Sequence, residues 1–219
     1  MNIVILGQQG SGKGTQAALL AEKFDLEHID MGKTLREIAL SDTPLGREIY
    51  EIQNVRKTLV SSKILREILN VKLKSIPLKK GIVFDGAPRT LDQVKYLEDA
   101  MLELGRKIDY VLFISIPEQE SIERASRRRL CNNCQAILVM GKIIKKENDR
   151  CPKCGGEVSQ RKDDTPEGIK KRLEVFKNET MPVLEYYEKE GSLIKIDGMQ
   201  PVKKVFADII KGIKRQRLS

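Results

Sequence analysis

The sequence predicts an α/β fold in which a five-stranded parallel sheet carries helices on both faces. Five short apolar runs, rich in β-branched residues, alternate with longer segments whose apolar residues recur at helical spacing. Continuous apolar runs are typical of parallel strands that are buried on both sides. Since strands and helices alternate, a single wound sheet is favoured, and 219 residues suffice for one such domain with a small inserted module.

The first strand is predicted over residues 2–7, where the run NIVIL ends at a glycine. The other strands are predicted at residues 26–30, 81–86, 109–116 and 192–197. The run at 26–30 has the weakest apolar pattern of the five, because Glu, His and Asp interrupt it.

Amphipathic helices are predicted between these strands, for example over residues 61–74, where the apolar side chains share one face. Thr165 and Pro166 have the residue types of an N-cap and a first helical position. Pro182 is expected to kink or break the helix that contains it. Residues 31–60 have the pattern of short helices that interrupt the strand–helix alternation.

The charge and composition narrow the class of partner. A net charge of +9 indicates anionic partners, either nucleic acid or small polyphosphates. Aromatic residues make up 5% of the chain, and no basic tract is interleaved with them as a single-strand stacking platform requires. No apolar run approaches the roughly 18 residues that span a bilayer. We therefore expect a cytoplasmic protein that binds neither membrane nor nucleic acid, monomeric by default.

The segment GQQGSGKGT follows the first strand and opens a helix. Gly7, Gly12 and Lys13 satisfy most of the phosphate-binding P-loop pattern, in which small residues turn backbone N–H groups toward phosphate oxygens. Gly14 stands where Ser or Thr normally binds Mg²⁺, and Thr15 follows one residue later. The sequence therefore predicts a P-loop NTPase-type sheet and a nucleotide site.

Two further segments carry metal-binding residue types. Asp85 ends a predicted strand, where a carboxylate can hold Mg²⁺ through its waters. Four cysteines form two Cys-x-x-Cys pairs whose separation fits a structural zinc site with no open coordination position. These are Cys131, Cys134, Cys151 and Cys154. Residues 130–161 show short β-like fragments, AILVM and KIIKK, with little core of their own, so zinc is expected to fold them.

The loop GSGKGTQ, the segment DGAPRT after the third strand and the paired cysteines resemble the adenylate kinase family in its long form with a zinc-binding lid. The resemblance covers residues 1 to about 210 and implies reversible phosphoryl transfer between MgATP and AMP, giving two ADP. It implies a core of residues 1–30, 61–127 and 163–219. It also implies a helical AMP-binding insertion at 31–60 and a zinc-ribbon-like lid at 128–162, whose closure excludes water.

The same resemblance implies site residues. Phosphoryl transfer rests on cations around the transferred group, here Lys13, Arg89, Arg128, Arg161 and Arg172. The ATP site would comprise Gly10, Ser11, Gly12, Lys13, Gly14, Thr15, Arg124, Arg128 and Gln200. The AMP site would comprise Met31, Arg36, Thr58, Leu59, Val60, Gly86, Ala87, Pro88, Arg89, Gln93, Arg161 and Arg172. Asp85 and Thr15 are implied near Mg²⁺, and Asp163 and Asp164 would tie down the closed lid.

Arg124 and Arg128 are expected on the helix after the fourth strand, at the entrance to the lid. The segment IDMGKTLREI, residues 29–38, contains a second Gly-Lys-Thr but lacks the earlier glycine of a P-loop. It resembles the family's acceptor motif, with Arg36 on the AMP phosphate. Met31 replaces a family Thr there, which predicts looser selection of the acceptor base.

Two other functions remain open on the sequence alone. The first is another nucleoside monophosphate kinase with UMP, CMP or GMP as acceptor. The second is a P-loop ATPase whose zinc ribbon binds nucleic acid, although the ribbon loop is only mildly basic. Adenylate kinase activity, with Mg²⁺ and structural Zn²⁺, is the function that the motifs favour.

Overall fold

The computed structural model describes residues 1–56, 58–146, 148–161 and 164–217. Asp163, which we predicted to help tie down the lid, lies outside the described residues. Within the described part of the chain, no helix is long and apolar enough to cross a membrane.

The five predicted strands form one parallel sheet. They are β1 (Asn2–Leu6), β2 (Leu26–Asp30), β3 (Gly81–Asp85), β4 (Tyr110–Ser115) and β8 (Leu193–Asp197). Their order across the sheet is β2-β3-β1-β4-β8, so the chain builds outward from β1 in both directions. Ligands of such sheets bind beyond the carboxyl ends of the strands, where this order reverses. The fold therefore directs attention to the residues that follow β1.

Helices cover both faces of the sheet, as predicted. The helices α1 (Lys13–Phe24) and α9 (Val202–Gln216) pack on one face, which Ile3 and Ile5 of β1 also line. On the other face, α4 (Ser62–Ser75), α5 (Leu91–Glu103) and α8 (Met181–Lys189) pack over Val4 and Leu6. Since alternate residues of β1 point to opposite faces, its unbroken apolar sequence is what a strand buried on both sides requires.

Residues 31–60 form short helices, as the sequence predicts. The helices are α2 (Met31–Ala39) and α3 (Pro44–Tyr50), followed by a π-helical turn, Glu51–Arg56. Asp30 caps α2 by accepting a hydrogen bond from the backbone N–H of Lys33 at 2.8 Å. Thr43 caps α3 in the same way, with proline in the first turn. This insertion joins β2 to α4 above the carboxyl ends of the strands.

The cysteine-bearing segment forms a small antiparallel sheet that follows α6 (Glu118–Ser126). Its strands are β5 (Arg128–Cys131), β6 (Ile137–Val139) and β7 (Val158–Ser159), with β5 in the centre. Arg128 therefore lies on a strand, and its predicted place on the helix is wrong, because its pairing with Val139 begins the sheet. The fragment KIIKK forms turns with one isolated bridge rather than the expected strand.

The helix that follows the cysteine-bearing segment begins as predicted, at α7 (Pro166–Val175). The hydroxyl of Thr165 accepts a hydrogen bond from the backbone N–H of Gly168 at 3.1 Å. A π-helical turn, Phe176–Thr180, then leads directly into α8. Pro182 in the first turn of α8 lacks an N–H, and its ring excludes a regular helical carbonyl four residues earlier. The helix is therefore distorted before the proline and continues beyond it.

Candidate functional site

The loop between β1 and α1 is shaped to hold an anion. Gly12, the N-cap of α1, has φ of 90°, and Gly10 has φ of 76°, values that favour glycine. Among the described residues, no side chain caps this helix, so its first N–H groups are available to a ligand. The buried hydroxyl of Ser11 has no hydrogen-bond partner in the part of the chain that the structure describes. These features fit a bound phosphate.

Asp85 at the end of β3 lies against the first turn of α1. A Cβ atom on Gly14 would stand 3.1 Å from Oδ2 of Asp85. A side chain at position 14 would therefore stand in tight contact with this carboxylate. Thr15 is exposed on the next position of the helix. The side chain of Asp85 is 7% exposed and lines the cleft beyond the loop.

Lys13 lies in this cleft with its ammonium buried. Its Nζ donates a hydrogen bond to the backbone oxygen of Gln8 at 3.2 Å. The pKa of Lys13 is lowered to about 8, chiefly by burial and also by the charges of Arg89, Arg128 and Arg172, while Asp85 opposes the shift. A polyphosphate in the cleft would reverse this effect by supplying negative charge.

The cleft concentrates positive charge from distant parts of the chain. Among the described residues that line it, six are cationic: Lys13, Arg36, Arg89, Arg128, Arg161 and Arg172. They come from α1, α2, the β3–α5 connection, both ends of the lid and α7. Two carboxylates, Asp30 and Asp85, also line it. The structure therefore brings together the five cations that the sequence suggested as catalytic and Arg36, which it suggested for the AMP phosphate.

Arg89 is fixed by its own local backbone. Its Nε donates to the backbone oxygen of Gly86 at 2.8 Å, and its backbone N–H donates to Oε1 of Gln93 at 2.8 Å. Gly86 has φ of 81°, and a Cβ there would lie 3.2 Å from Nη2 of Arg89. Burial lowers the pKa of Arg89, whereas Asp85 raises it. The guanidinium is thus held in the cleft before any ligand arrives.

One carboxylate holds two of the cleft arginines. Asp164, whose side chain is wholly buried, accepts hydrogen bonds from Nε and Nη2 of Arg128 at 2.8 and 2.6 Å. It also accepts one from Nη2 of Arg172 at 2.6 Å. Burial alone would raise the pKa of Asp164, but the two arginines outweigh it and hold the pKa below its ordinary value. Asp164 therefore joins β5, through Arg128, to α7, through Arg172.

The predicted acceptor residues are divided between the cleft and the core. Arg36, Thr58, Leu59, Gly86 and Arg89 line the cleft. Val60, Ala87 and Met31 are buried, and the side chain of Met31 belongs to the hydrophobic core, 1% exposed. Pro88 follows Ala87 through a cis peptide bond. The effect of Met31 on base selection stays a prediction, and the side chain would have to act indirectly.

Gln93 and the π-helical turn qualify the prediction about the acceptor base. The side-chain amide of Gln93 donates to the backbone oxygen of Val60 at 3.4 Å, besides accepting from Arg89. Its polar atoms therefore hold the walls of the site in this structure.

Gln53 and Asn54 of the π-helical turn line the cleft, and sequence reasoning missed them. One-turn π-helices are frequent at functional sites, so this turn could have pointed to both residues. It has no sequence motif, however, and is visible only in the structure.

The predicted donor-base residues lie near the loop after β8. Arg124 donates to Oε1 of Glu120 at 2.6 Å and to the backbone oxygen of Gly198 at 3.0 Å. The amide of Gln200 donates to Asp208 at 2.9 Å. Neither Arg124 nor Gln200 lines the cationic cleft described above. Their roles in ATP binding stay predictions.

The four cysteines converge in the small sheet, with their sulfur atoms all within 4.8 Å of one another. The Sγ–Sγ distance is 3.4 Å for Cys131 and Cys154, and 3.7 Å for Cys134 and Cys151. Four thiolates at about 2.3 Å from one zinc ion would lie about 3.8 Å apart in a tetrahedron. The donor set and its spacing therefore fit a structural zinc ion.

The chain was compared with known proteins. A family model described as Adenylate kinase matches residues 5–192. The chain is 41% identical over 209 residues to an adenylate kinase of a Geobacillus species, covering 95% of this chain and 96% of the relative. It is 38% identical over 209 residues to that of Archaeoglobus fulgidus, with the same coverage of both chains. It is 37% identical over 215 residues to that of Thermosipho africanus, covering 98% and 100%.

Proposed function

Because the chain belongs to the adenylate kinase family, whose reaction is ATP + AMP = 2 ADP, we propose a division of roles among the cations of its cleft. Lys13 and the P-loop hold the phosphates of ATP. Arg36 and Arg89 hold the phosphate of AMP. The transferred group lies between them, facing Arg128, Arg161 and Arg172. The observation that carries this proposal is the convergence of these six side chains on one cleft.

The chemistry explains why cations dominate the site. Phosphoryl transfer spreads negative charge over the three oxygens of the moving group and requires the attacking and leaving oxygens to lie in line. Arginine suits this task because its planar fork binds phosphate oxygens in pairs and stays charged. No general base is assigned, since positioning and charge stabilisation account for most of the catalysis of this reaction.

Two metal ions belong to the proposal. Mg²⁺ would lie beside Asp85, whose buried carboxylate reaches the first turn of α1 next to Lys13. When bound, it would neutralise charge on the ATP phosphates. Zn²⁺ would be held by the four lid cysteines and would have a structural role, because no coordination position is left open.

We further propose that residues 31–60 bind AMP and that residues 128–162 form the lid over ATP, on a core of residues 1–30, 61–127 and 163–219. Arg36 on α2 and Arg128 on β5 support this assignment, since each brings a cleft cation from one of the two inserted segments. Closure of such a lid would exclude water, which could otherwise accept the phosphoryl group. We expect a cytoplasmic monomer whose partners are nucleotides and not nucleic acid.

The proposed acceptor is tested by ADP formation from MgATP with AMP, CMP, UMP or GMP, and without an acceptor. We expect activity to be highest with AMP and negligible without an acceptor. A preference for UMP, CMP or GMP would indicate another monophosphate kinase. ATP hydrolysis that needs no acceptor would favour the ATPase alternative. The same panel on Met31→Thr tests the predicted base selection, and a preference for AMP over the other acceptors that does not increase in the variant would count against a role for Met31.

The link between Asp164 and its two arginines supports a further prediction. Replacing Asp164 with asparagine should lower the free energy of unfolding by about 3 kcal/mol, because two partly buried guanidinium groups lose their counter-charge. It should also lower kcat by about 100-fold, since Arg128 and Arg172 lose their fixed orientation. Denaturant unfolding and steady-state kinetics measure both effects.

Asp42→Asn is the matched control for Asp164→Asn. Asp42 also pairs with an arginine, Arg47, but both side chains are largely exposed, and such pairs contribute about 0 to 1 kcal/mol. We expect this control to keep its kcat and stability. Equal effects of the two substitutions, or a kcat for Asp164→Asn within about threefold of the unaltered protein, would contradict the role given to Asp164.

A further inference from the structure

We propose that Gln9 is a positioning residue, which fixes the P-loop against the two helices at the base of the lid. This inference rests on the proposed function, because it concerns the alignment of Lys13 with the arginines of the same cleft. Gln9 is 9% exposed. Its Nε2 donates a buried hydrogen bond of 2.8 Å to the backbone oxygen of Ile169 on α7.

The backbone of Gln9 binds the other lid helix. Its carbonyl oxygen accepts a hydrogen bond of 2.6 Å from the hydroxyl of Ser121, which is fully buried on α6. At the next residue, a Cβ on Gly10 would come within 2.9 Å of Cβ of Arg124. The loop therefore touches α6 through its main chain and α7 through the side chain of Gln9.

The helices α6 and α7 flank the lid and pack on each other. Ile122 and Ala125 of α6 share a small apolar cluster with Ile169 and Leu173 of α7. The lid sheet begins two residues after α6 ends, and α7 begins after the lid returns to the core. A contact that includes both helices therefore holds the two stems of the lid against the phosphate-binding loop.

The contact also bears on where two cleft arginines lie relative to Lys13. Ile169 precedes Arg172 by three residues, so the two are neighbours on the surface of the same helix. Arg172 binds Asp164, which binds Arg128. A shift of α7 relative to the loop would thus carry these two arginines away from Lys13. Misplacement by about 1 Å can cost on the order of 100-fold in rate when chemistry depends on alignment.

Two variants of Gln9 separate this role from simple destabilisation. We expect Gln9→Ala to lower kcat about tenfold or more at temperatures well below its Tm, with a smaller change in KM for ATP. Gln9→Glu keeps the size of the side chain, but its ionised carboxylate presents an oxygen to the Ile169 carbonyl. Its kcat should therefore be no higher than that of Gln9→Ala. A protonated Glu can donate to that carbonyl. The kcat of Gln9→Glu relative to the unaltered protein should therefore recover as pH falls, whereas that of Gln9→Ala should not.

Gln16→Ala is the matched control for Gln9→Ala. Gln16 is 2% exposed, and its Nε2 donates to the backbone oxygen of Val202 at 3.0 Å, which joins α1 to the start of α9. It too is a bond from a glutamine side chain to a distant backbone oxygen, although it is only partly buried, and it joins neither α6 nor α7. We expect a similar loss of Tm with kcat unchanged within about twofold.

The inference is overturned if Gln9→Ala keeps kcat within about twofold of the unaltered protein, or if Gln16→Ala loses as much. It is also overturned if the relative kcat of Gln9→Glu does not change with pH. These results differ from a failure of the proposed function, in which the unaltered protein itself would form no ADP from ATP and AMP.

Discussion

Replacing Lys13 with methionine should lower kcat/KM for ATP by on the order of 1,000-fold near neutral pH. Methionine keeps most of the length and apolar character of the side chain while removing its charge. The lost ammonium lies buried at the start of the helix that we propose binds phosphate, in a cleft lined by five other cations of the described residues. Each preorganised charge of this kind acts mainly on the transition state, so kcat should fall along with kcat/KM.

The lowered pKa of Lys13 gives this prediction a pH signature. Since kcat/KM reports the free enzyme, it should be constant from about pH 7 to about 8 and fall up to tenfold per pH unit above that. The nucleotide phosphates are already ionised in this range, because their last proton leaves near pH 6. Lys13→Arg keeps a charge at every accessible pH, so its kcat/KM should be lower but flat across the same window.

Whereas Lys13→Met should lower kcat/KM, it should raise the free energy of unfolding near neutral pH. The pKa of Lys13 is about 8 in the folded protein against an ordinary value of 10.5, so the unfolded chain binds more protons between these values. Lys13 therefore destabilises the fold below about pH 8, and this cost disappears as pH rises to 10.5. Lys13→Met should unfold at a higher Tm than the unaltered protein near neutral pH. Retention of kcat/KM within tenfold, or an alkaline profile flat to about pH 10, would refute the role of Lys13.

The features that could be predicted from the sequence are those that are local in the chain. The P-loop is one continuous segment, and the cysteine pairs have a fixed spacing, so each carries its chemistry within a short stretch. The five strands were recognisable because burial on both faces demands unbroken apolar runs. The resemblance to a family added the arginines, which are otherwise indistinguishable from surface residues.

What could not be predicted depends on pairing between distant segments. Arg128 begins a strand because Val139 pairs with it. The sequence of the preceding helix gives no signal that the helix ends before Arg128. Met31 faces the core because it shares the buried face of α2 with Leu35, four residues later, a spacing that outweighs its place in the acceptor motif. Gln9 and Ile169 meet across 160 residues. Such contacts follow from the assembled sheet and not from any local pattern.

Removing the metal that we assign to the lid should have the other large effect. Cys151→Ser should unfold the lid sheet, lower Tm by about 10 °C and lower kcat by at least about 100-fold. The buried apolar core of the described lid residues consists of Cys131, Leu138, Ile144 and Cys151, so two of its four members are also proposed metal ligands. A core of this size cannot offset the conformational entropy of some 30 residues without a metal.

The kinetic effect follows from where the lid begins and ends. Arg128 starts β5 and Arg161 lies at the exit of the lid, and both line the cleft. A lid that unfolds would therefore withdraw two cations from the transferred phosphoryl group without altering Lys13, Arg36 or Arg89. KM for AMP should change less than kcat, because the acceptor side of the cleft keeps its own supports.

Substitutions of Cys154 distinguish loss of the metal from loss of the cysteine itself. Cys154 is the exposed member of the cluster, and histidine can replace one cysteine in a structural zinc site. Cys154→His should keep about one zinc ion per chain with most of the Tm, whereas Cys154→Ser should lose both. Metal analysis of protein purified without added metal, together with calorimetry before and after chelation, provides the measurement. Absence of any divalent ion in the unaltered protein, or a Tm that chelation does not change, would show that thiol packing alone holds the lid.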